Sequence, residues 1–242
     1  MSEDSSKPEI SPRPWGWVAA IGIVLLALAV GGLAAEALRV LTSWPANDLT
    51  QFQDLALGLV SIGVTIAAVI AFVNYRGFSL EALGFNQPKS RIKASIALVF
   101  GTFGLYFLTS LLAISLLSVL LPNVDLNQAQ DLGLDEPDRF IDYGAIFLLL
   151  VLIAPLSEEI IFRGFMFQGL TRSMRWQLAA IISAALFGLA HGQLNVGIDT
   201  GLLGLFSAWL VHHTGSIWPS IGLHVLKNLI AYTLVFLLPL LS

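Results

Sequence analysis

Between residues 158 and 228 a small set of ionisable and amide side chains stands among Leu, Ile, Val, Ala and Phe, at spacings that suit chemistry on water. The stretch PLSEEIIFRGF, Pro155 to Phe165, supplies Glu158, Glu159 and Arg163; ALFGLAHGQ supplies Phe187 and His191; SIWPSIGLHVLKN supplies His224 and Asn228. Each pair Glu159/Arg163, Phe187/His191 and His224/Asn228 is four residues apart, so each projects from one face of a helix. A carboxylate and imidazoles converging in a low-dielectric cavity can take a proton from water and stabilise an oxyanion.

The three charges of the first stretch divide by spacing. Glu159 and Arg163 stand in the favourable acid-first order for an ion pair that neutralises both, and a purely structural brace is as good a reading of them as a catalytic role. Glu158 lies about 100° around the helix from its neighbour. It shares its face with Phe162 and has no partner in its own helix, which leaves it as the carboxylate able to act as a base. His191 alone would more often be a packing histidine, as would His224; the ordered set is what points them to a site. His212 and His213 precede Thr-Gly-Ser and read as a surface loop, and Phe162 and Phe187 read as packing residues. Lys227 either polarises the site or snorkels toward the membrane interface.

These residues must be held by helices in a membrane. Of 242 residues, 56% are hydrophobic and only 12% charged, and the mean hydropathy of +0.81 lies far outside the soluble range. Uncharged segments run from Trp15 to Ala35, Leu55 to Asn74 and Ala94 to Asn123, each long enough to cross a hydrocarbon core of roughly 30 Å. Further apolar segments run from Tyr143 to Ser157, Gln177 to Ala190, Thr200 to Val211 and Ser216 to the end. The expectation is an all-α polytopic transmembrane helical bundle of about seven spanning helices, six to eight at the limits. Residues 1–14, rich in Ser, Pro and charge, read as a disordered tail, and residues 15–242 as one membrane domain with a retained first helix and a catalytic core at about 143–238. The absence of cysteine removes disulfides, thiolate metal sites and a Cys nucleophile. The net charge of −4 is thinly spread and makes nucleic acid an improbable partner.

Charge bias orients the bundle. The loop Tyr75 to Lys93 carries Arg76, Lys89, Arg91 and Lys93 against Glu81, whereas Asn123 to Asp142 carries six acids against Arg139. The positive-inside rule places the first loop, the Arg172/Arg175 turn and the N-terminus in the cytoplasm, with a plasma membrane as the default and a thylakoid or organelle membrane as the alternative. From the inside turn at about 171–176, Glu158 lies 13 residues up one helix and His191 15 residues along the next. At 1.5 Å per residue both reach roughly 20 Å into the membrane from the same side. An intramembrane carboxylate costs at least about 2.5–3.5 kcal/mol, so Glu158 and Glu159 must face a protein interior or a wet cavity.

Glu158-Glu159-x-x-x-Arg163, Phe187-x-x-x-His191 and His224-x-x-x-Asn228, in this order on successive helices, resemble the CPBP intramembrane protease family. That group is named for CAAX prenyl endopeptidases and bacteriocin-processing enzymes and is also called the Abi or type II CAAX protease family. The motifs cover roughly residues 150 to 230. The resemblance implies an intramembrane endopeptidase acting on a membrane-associated or prenylated protein or peptide. In it Glu158 and His191 would activate water, His224 and Asn228 would stabilise the oxyanion or complete the site, and Glu159 with Arg163 would brace it. Two histidines and a glutamate are also a plausible Zn2+ ligand set, Glu158, His191 and His224, beside an equally plausible metal-free mechanism. No HExxH, GxGD or GxSG signature of other intramembrane proteases is present. Two readings from other classes stay open: a non-proteolytic scaffold or immunity-type protein that keeps the family core, and a small transporter with Glu158 and Glu159 in a proton path.

Overall fold

The computed structural model describes residues 15–45, 51–89, 91–124, 126 and 140–241. The tail at 1–14 and most of the acidic connector before Asp142 lie outside them. Among the described residues the architecture is all-helical, in seven apolar helices: α1 (Trp17–Leu41), α2 (Gln51–Tyr75), α3 (Ile92–Leu120), α4 (Phe140–Thr171), α5 (Trp176–Leu189), α6 (Leu194–Thr214) and α7 (Trp218–Leu240). Six are long and apolar enough to cross a membrane, and α5, with 14 residues, is shorter. The fold class and helix number expected from the sequence therefore hold.

Two boundaries differ from the sequence reading. The sixth helix begins at Leu194 rather than near Thr200, because Asp199, which ended the apolar segment on composition, finds partners within the bundle. His212 and His213 form the last turn of α6 instead of a loop. The helix ends at Gly215, whose φ of 68° supplies the left-handed turn that terminates it. The His212 ring stacks on Trp176 at 4.4 Å, so both imidazoles belong to the end of the bundle and not to the site.

The connectors gather at that end. The Trp17 amide donates to Ser173 Oγ, the Lys89 amide to the Thr214 carbonyl and the Ile217 amide to the Gly84 carbonyl. The Arg172 guanidinium lies 3.8 Å from the Trp15 ring, which stands edge-on to Phe78. The two basic segments that the charge pattern assigned to one side thus meet in space.

The fourth helix is irregular where it matters. Pro155 has no N–H, and its ring crowds the carbonyl four residues earlier, so the α-helical ladder cannot run through it. Widened π-helical turns flank it at Leu148–Ile153 and Glu159–Phe167. Carbonyls in these turns take donors from outside the helix: Asn228 Nδ2 donates to Leu150 at 2.7 Å, Ser183 Oγ to Phe162 at 3.0 Å and Trp15 Nε1 to Phe165 at 3.1 Å. In hydrocarbon, where no water is at hand, such side chains allow a broken ladder to persist.

Small residues set the crossing of α5 and α6. A Cβ at Gly188 would meet the Gly197 carbonyl oxygen at 2.3 Å, and one at Gly204 would meet Arg163 Nη2 at 2.5 Å. The backbones approach closely and leave Arg163 a berth against α6.

Candidate active site

Glu158 and Glu159 begin the second π-helical segment, and the wide turn sends them apart. Glu159 points inward and is fully buried with Arg163, its Oε1 lying 3.4 Å from Arg163 Nη1. The expected four-residue pair therefore forms. It also gains a partner that spacing within one helix could not show: the same Oε1 lies 3.1 Å from Nδ1 of His224 on α7. Glu158 points the other way, its side chain 29% exposed, with Oε2 3.6 Å from Nε2 of the same imidazole. His224 is buried and bridges the two carboxylates.

Hydrogen-bond chemistry fixes which ring nitrogen donates. A carboxylate only accepts, so His224 Nδ1–H donates to Glu159, and in the neutral ring Nε2 carries a lone pair facing Glu158. His191 obeys the same logic. Its ring lies just past the end of α5, and Nδ1–H donates to the Phe187 carbonyl at 2.9 Å, so in the neutral ring the lone pair is on Nε2. Gly192, with φ of 72°, turns the chain immediately afterwards.

Phe187 is the centre of the arrangement. Its ring is edge-on to His191 at 4.9 Å and to His224 at 5.8 Å, and the Arg163 guanidinium lies over it at 4.2 Å. That contact offers a desolvated cation the ring's negative face, worth about 2 kcal/mol. Arg163 needs it, since none of its buried nitrogens has a hydrogen-bond partner among the described residues.

A cavity of about 380 Å³ opens on this cluster, lined by Glu158, Phe162, Phe187 and His191 on one side and by Leu28, Ser61 and Thr65 on the other. The structure thus brings Glu158 and His191 to one cavity, and Glu158, Glu159, Arg163 and His224 into one chain of contacts. Asn228 stands one turn beyond His224 and is occupied with the Leu150 carbonyl. Sequence reasoning missed the wall from α1 and α2, although Ser61 and Thr65, four apart in an apolar helix, were its visible signal. It also missed the Glu159–His224 contact, which no spacing within a motif encodes.

The zinc set fares differently. Among the described residues no three His, Asp or Glu side chains lie close enough together to hold a metal ion. Glu158 and His224 approach each other, while His191 contacts the Phe187 ring that also packs on His224. The donors as placed among the described residues do not fit a three-ligand zinc site.

Residues 141–230 match the family model of the type II CAAX prenyl endopeptidases, Rce1-like. That match spans a little over a third of the chain. The Rce1-like segment contains every predicted site residue from Glu158 to Asn228 and stops short of α1 and α2, which complete the cavity. The chain is also similar to a Bacillus subtilis (strain 168) protein named "Putative membrane peptidase YdiL", at 32% identity over 77 residues. The match covers 32% of this chain and about a third of the length of that relative. No solved structure matches.

Proposed function

We propose that the protein is an intramembrane endopeptidase that hydrolyses a peptide bond of a membrane-associated or prenylated protein, using water activated by Glu158 with His191. The observation that carries this reading is the pair Glu158 and His191 on one cavity, each with a free proton-accepting atom, backed by His224 held in a fixed orientation by Glu159.

Glu158 takes a proton from water as the water oxygen bonds to the scissile carbonyl carbon and the carbonyl electron pair moves onto oxygen. The lone pair at His191 Nε2 orients the water. In its doubly protonated form His224 donates from Nδ1 to Glu159 and from Nε2 toward Glu158, and in that form it would place positive charge beside the oxyanion, electrostatic stabilisation that is a major part of catalysis in a dry cavity. Collapse of the intermediate breaks the C–N bond, and Glu158 returns its proton to the departing amine. Asn228 contributes by fixing Leu150, and with it the register of α4 before Glu158. Positive-inside bias favours the basic end of the bundle on the cytoplasmic side, with substrate taken from a plasma membrane by default and from a thylakoid or organelle membrane as the alternative.

The test is reconstitution of the full chain in liposomes with a library of prenylated and unprenylated membrane-anchored peptides, read by mass spectrometry with and without chelator. Cleavage by the wild type that survives chelator and metal analysis, and is lost in His191→Ala, is the expected result. No cleavage of any peptide by folded wild-type protein overturns the peptidase reading in favour of a binding role. Loss of cleavage on chelation, with zinc in the purified protein, overturns the metal-free mechanism.

A further inference from the structure

A second, half-buried polar cluster lies on the other side of α7. Asp199 of α6 accepts from the Tyr106 hydroxyl of α3 at 2.6 Å and from the Ser110 hydroxyl one turn along. Lys227 Nζ of α7 lies 3.6 Å from the other Asp199 oxygen. The four side chains line a cavity of about 320 Å³ whose remaining walls are apolar, among them Phe103, Phe107 and Leu234. Lys227 thus neither enters the Glu158 cavity nor snorkels to the interface. It spans to Asp199.

The geometry points to Asp199 and Lys227, with Tyr106 and Ser110, as a positioning latch that sets the rotation of α7 and so holds His224 between Glu158 and Glu159. This rests on the peptidase reading above. Lys227 is three residues after His224 and one before Asn228, so a force on it acts on the turn that carries both. On its α4 side that turn is attached through His224 to Glu159 and through Asn228 to Leu150. Those attachments lie about 40° apart on the helix wheel and so hold α7 from one flank only. The ion pair to Asp199 fixes it from another direction, and Tyr106 and Ser110 anchor Asp199 to α3, a third helix.

The magnitude makes the latch consequential. Side-chain atoms stand about 5–6 Å from a helix axis, so a roll of about 10° displaces the imidazole by about 1 Å. A misplacement of that size at a reacting group costs about a hundredfold in rate. Tyr106, Ser110, Asp199 and Lys227 act through α7 and are not assigned any contact with substrate.

The experiment compares wild type, Lys227→Met, Lys227→Arg and Tyr106→Phe in liposomes, with kcat, KM, melting temperature and hydrogen exchange of α7 measured on each. Lys227→Met is expected to lower kcat per folded molecule ten- to a hundredfold with KM unchanged, and to speed exchange across Trp218–Tyr232. Lys227→Arg, which keeps the charge, is expected to recover most of the rate. Tyr106→Phe is expected to lower kcat by a smaller factor in the same way. A purely structural role would lower the melting temperature and leave kcat per folded molecule intact, and that result overturns the latch. If Lys227→Met fails to insert, unchanged kcat and exchange in Tyr106→Phe overturn it instead. If the wild type cleaves nothing, the peptidase reading fails, while unchanged exchange in Lys227→Met still decides against the latch.

Discussion

Two polar clusters sit on either side of α7, one buried around Glu159 and one half-buried around Asp199, and they are built on opposite plans. In the cluster around Asp199 a single carboxylate is supplied with three donors from two other helices, two hydroxyls and an ammonium. In the cluster around Glu159 the groups are in excess of their partners: two carboxylates share one imidazole, Glu159 Oε2 has no partner, and the Arg163 nitrogens lack hydrogen bonds among the described residues. A saturated cluster spends its polar groups on holding helices together. In the other, the unpaired atoms are buried at a cost that packing elsewhere must offset, and it is Glu158 with His191, not they, that open on the cavity with proton-accepting atoms available for a reactant. The contrast separates the residues that brace from the residues that react better than charge or burial does, since both clusters are charged and both lie within membrane-length helices.

Substitutions that unbalance one cluster at a time test the contrast. The largest stability effect is expected for Arg163→Met, which leaves Glu159 buried without its counter-charge. Losing one partner of such a pair costs about 3–5 kcal/mol, read as a fall in melting temperature with activity lost alongside it. Gly204→Ala should follow, because its Cβ would stand 2.5 Å from Arg163 Nη2 and 3.1 Å from the Ala184 backbone. Overpacking of this kind costs about 1–3 kcal/mol, and unaltered melting would show that Arg163 has room it does not have here. Asn228→Ala is expected to be the mildest of the three, at about 1–3 kcal/mol for the orphaned Leu150 carbonyl, with a reduced but measurable kcat. Complete loss of activity in stable Asn228→Ala protein would instead put its amide on the reacting atoms.

Periodicity and composition carried most of this architecture. The all-helical membrane fold and the Glu159/Arg163 pair follow from hydropathy and four-residue spacing, because both are properties of one helix read along its own length. The outward turn of Glu158 was legible for the same reason. What spacing could not convey is contact between helices. Glu159 holding His224 across 65 residues, Phe187 standing against both imidazoles, and the α1–α2 wall of the cavity all arise from packing. The π-helical turns were half visible: Pro155 signals a broken ladder, but not that Asn228, Ser183 and Trp15 would take up the carbonyls around it. Asp199 was misread because composition alone treats a carboxylate as the end of an apolar segment. Three donors from other helices let it remain inside.

The central claim is a division of labour between adjacent glutamates, with Glu158 reacting and Glu159 positioning. The direct measurement is kcat and melting temperature, side by side, for wild type, Glu158→Gln and Glu159→Gln in the same liposomes with the best peptide from the library. Glu158→Gln should lose about 10²–10⁴-fold in kcat, the usual contribution of a general base, while melting near the wild-type temperature. Glu159→Gln should melt early, because Arg163 is left unpaired and His224 loses its charged acceptor. Near-wild-type cleavage by Glu158→Gln, or a stable Glu159→Gln with the larger loss of kcat, would contradict that assignment.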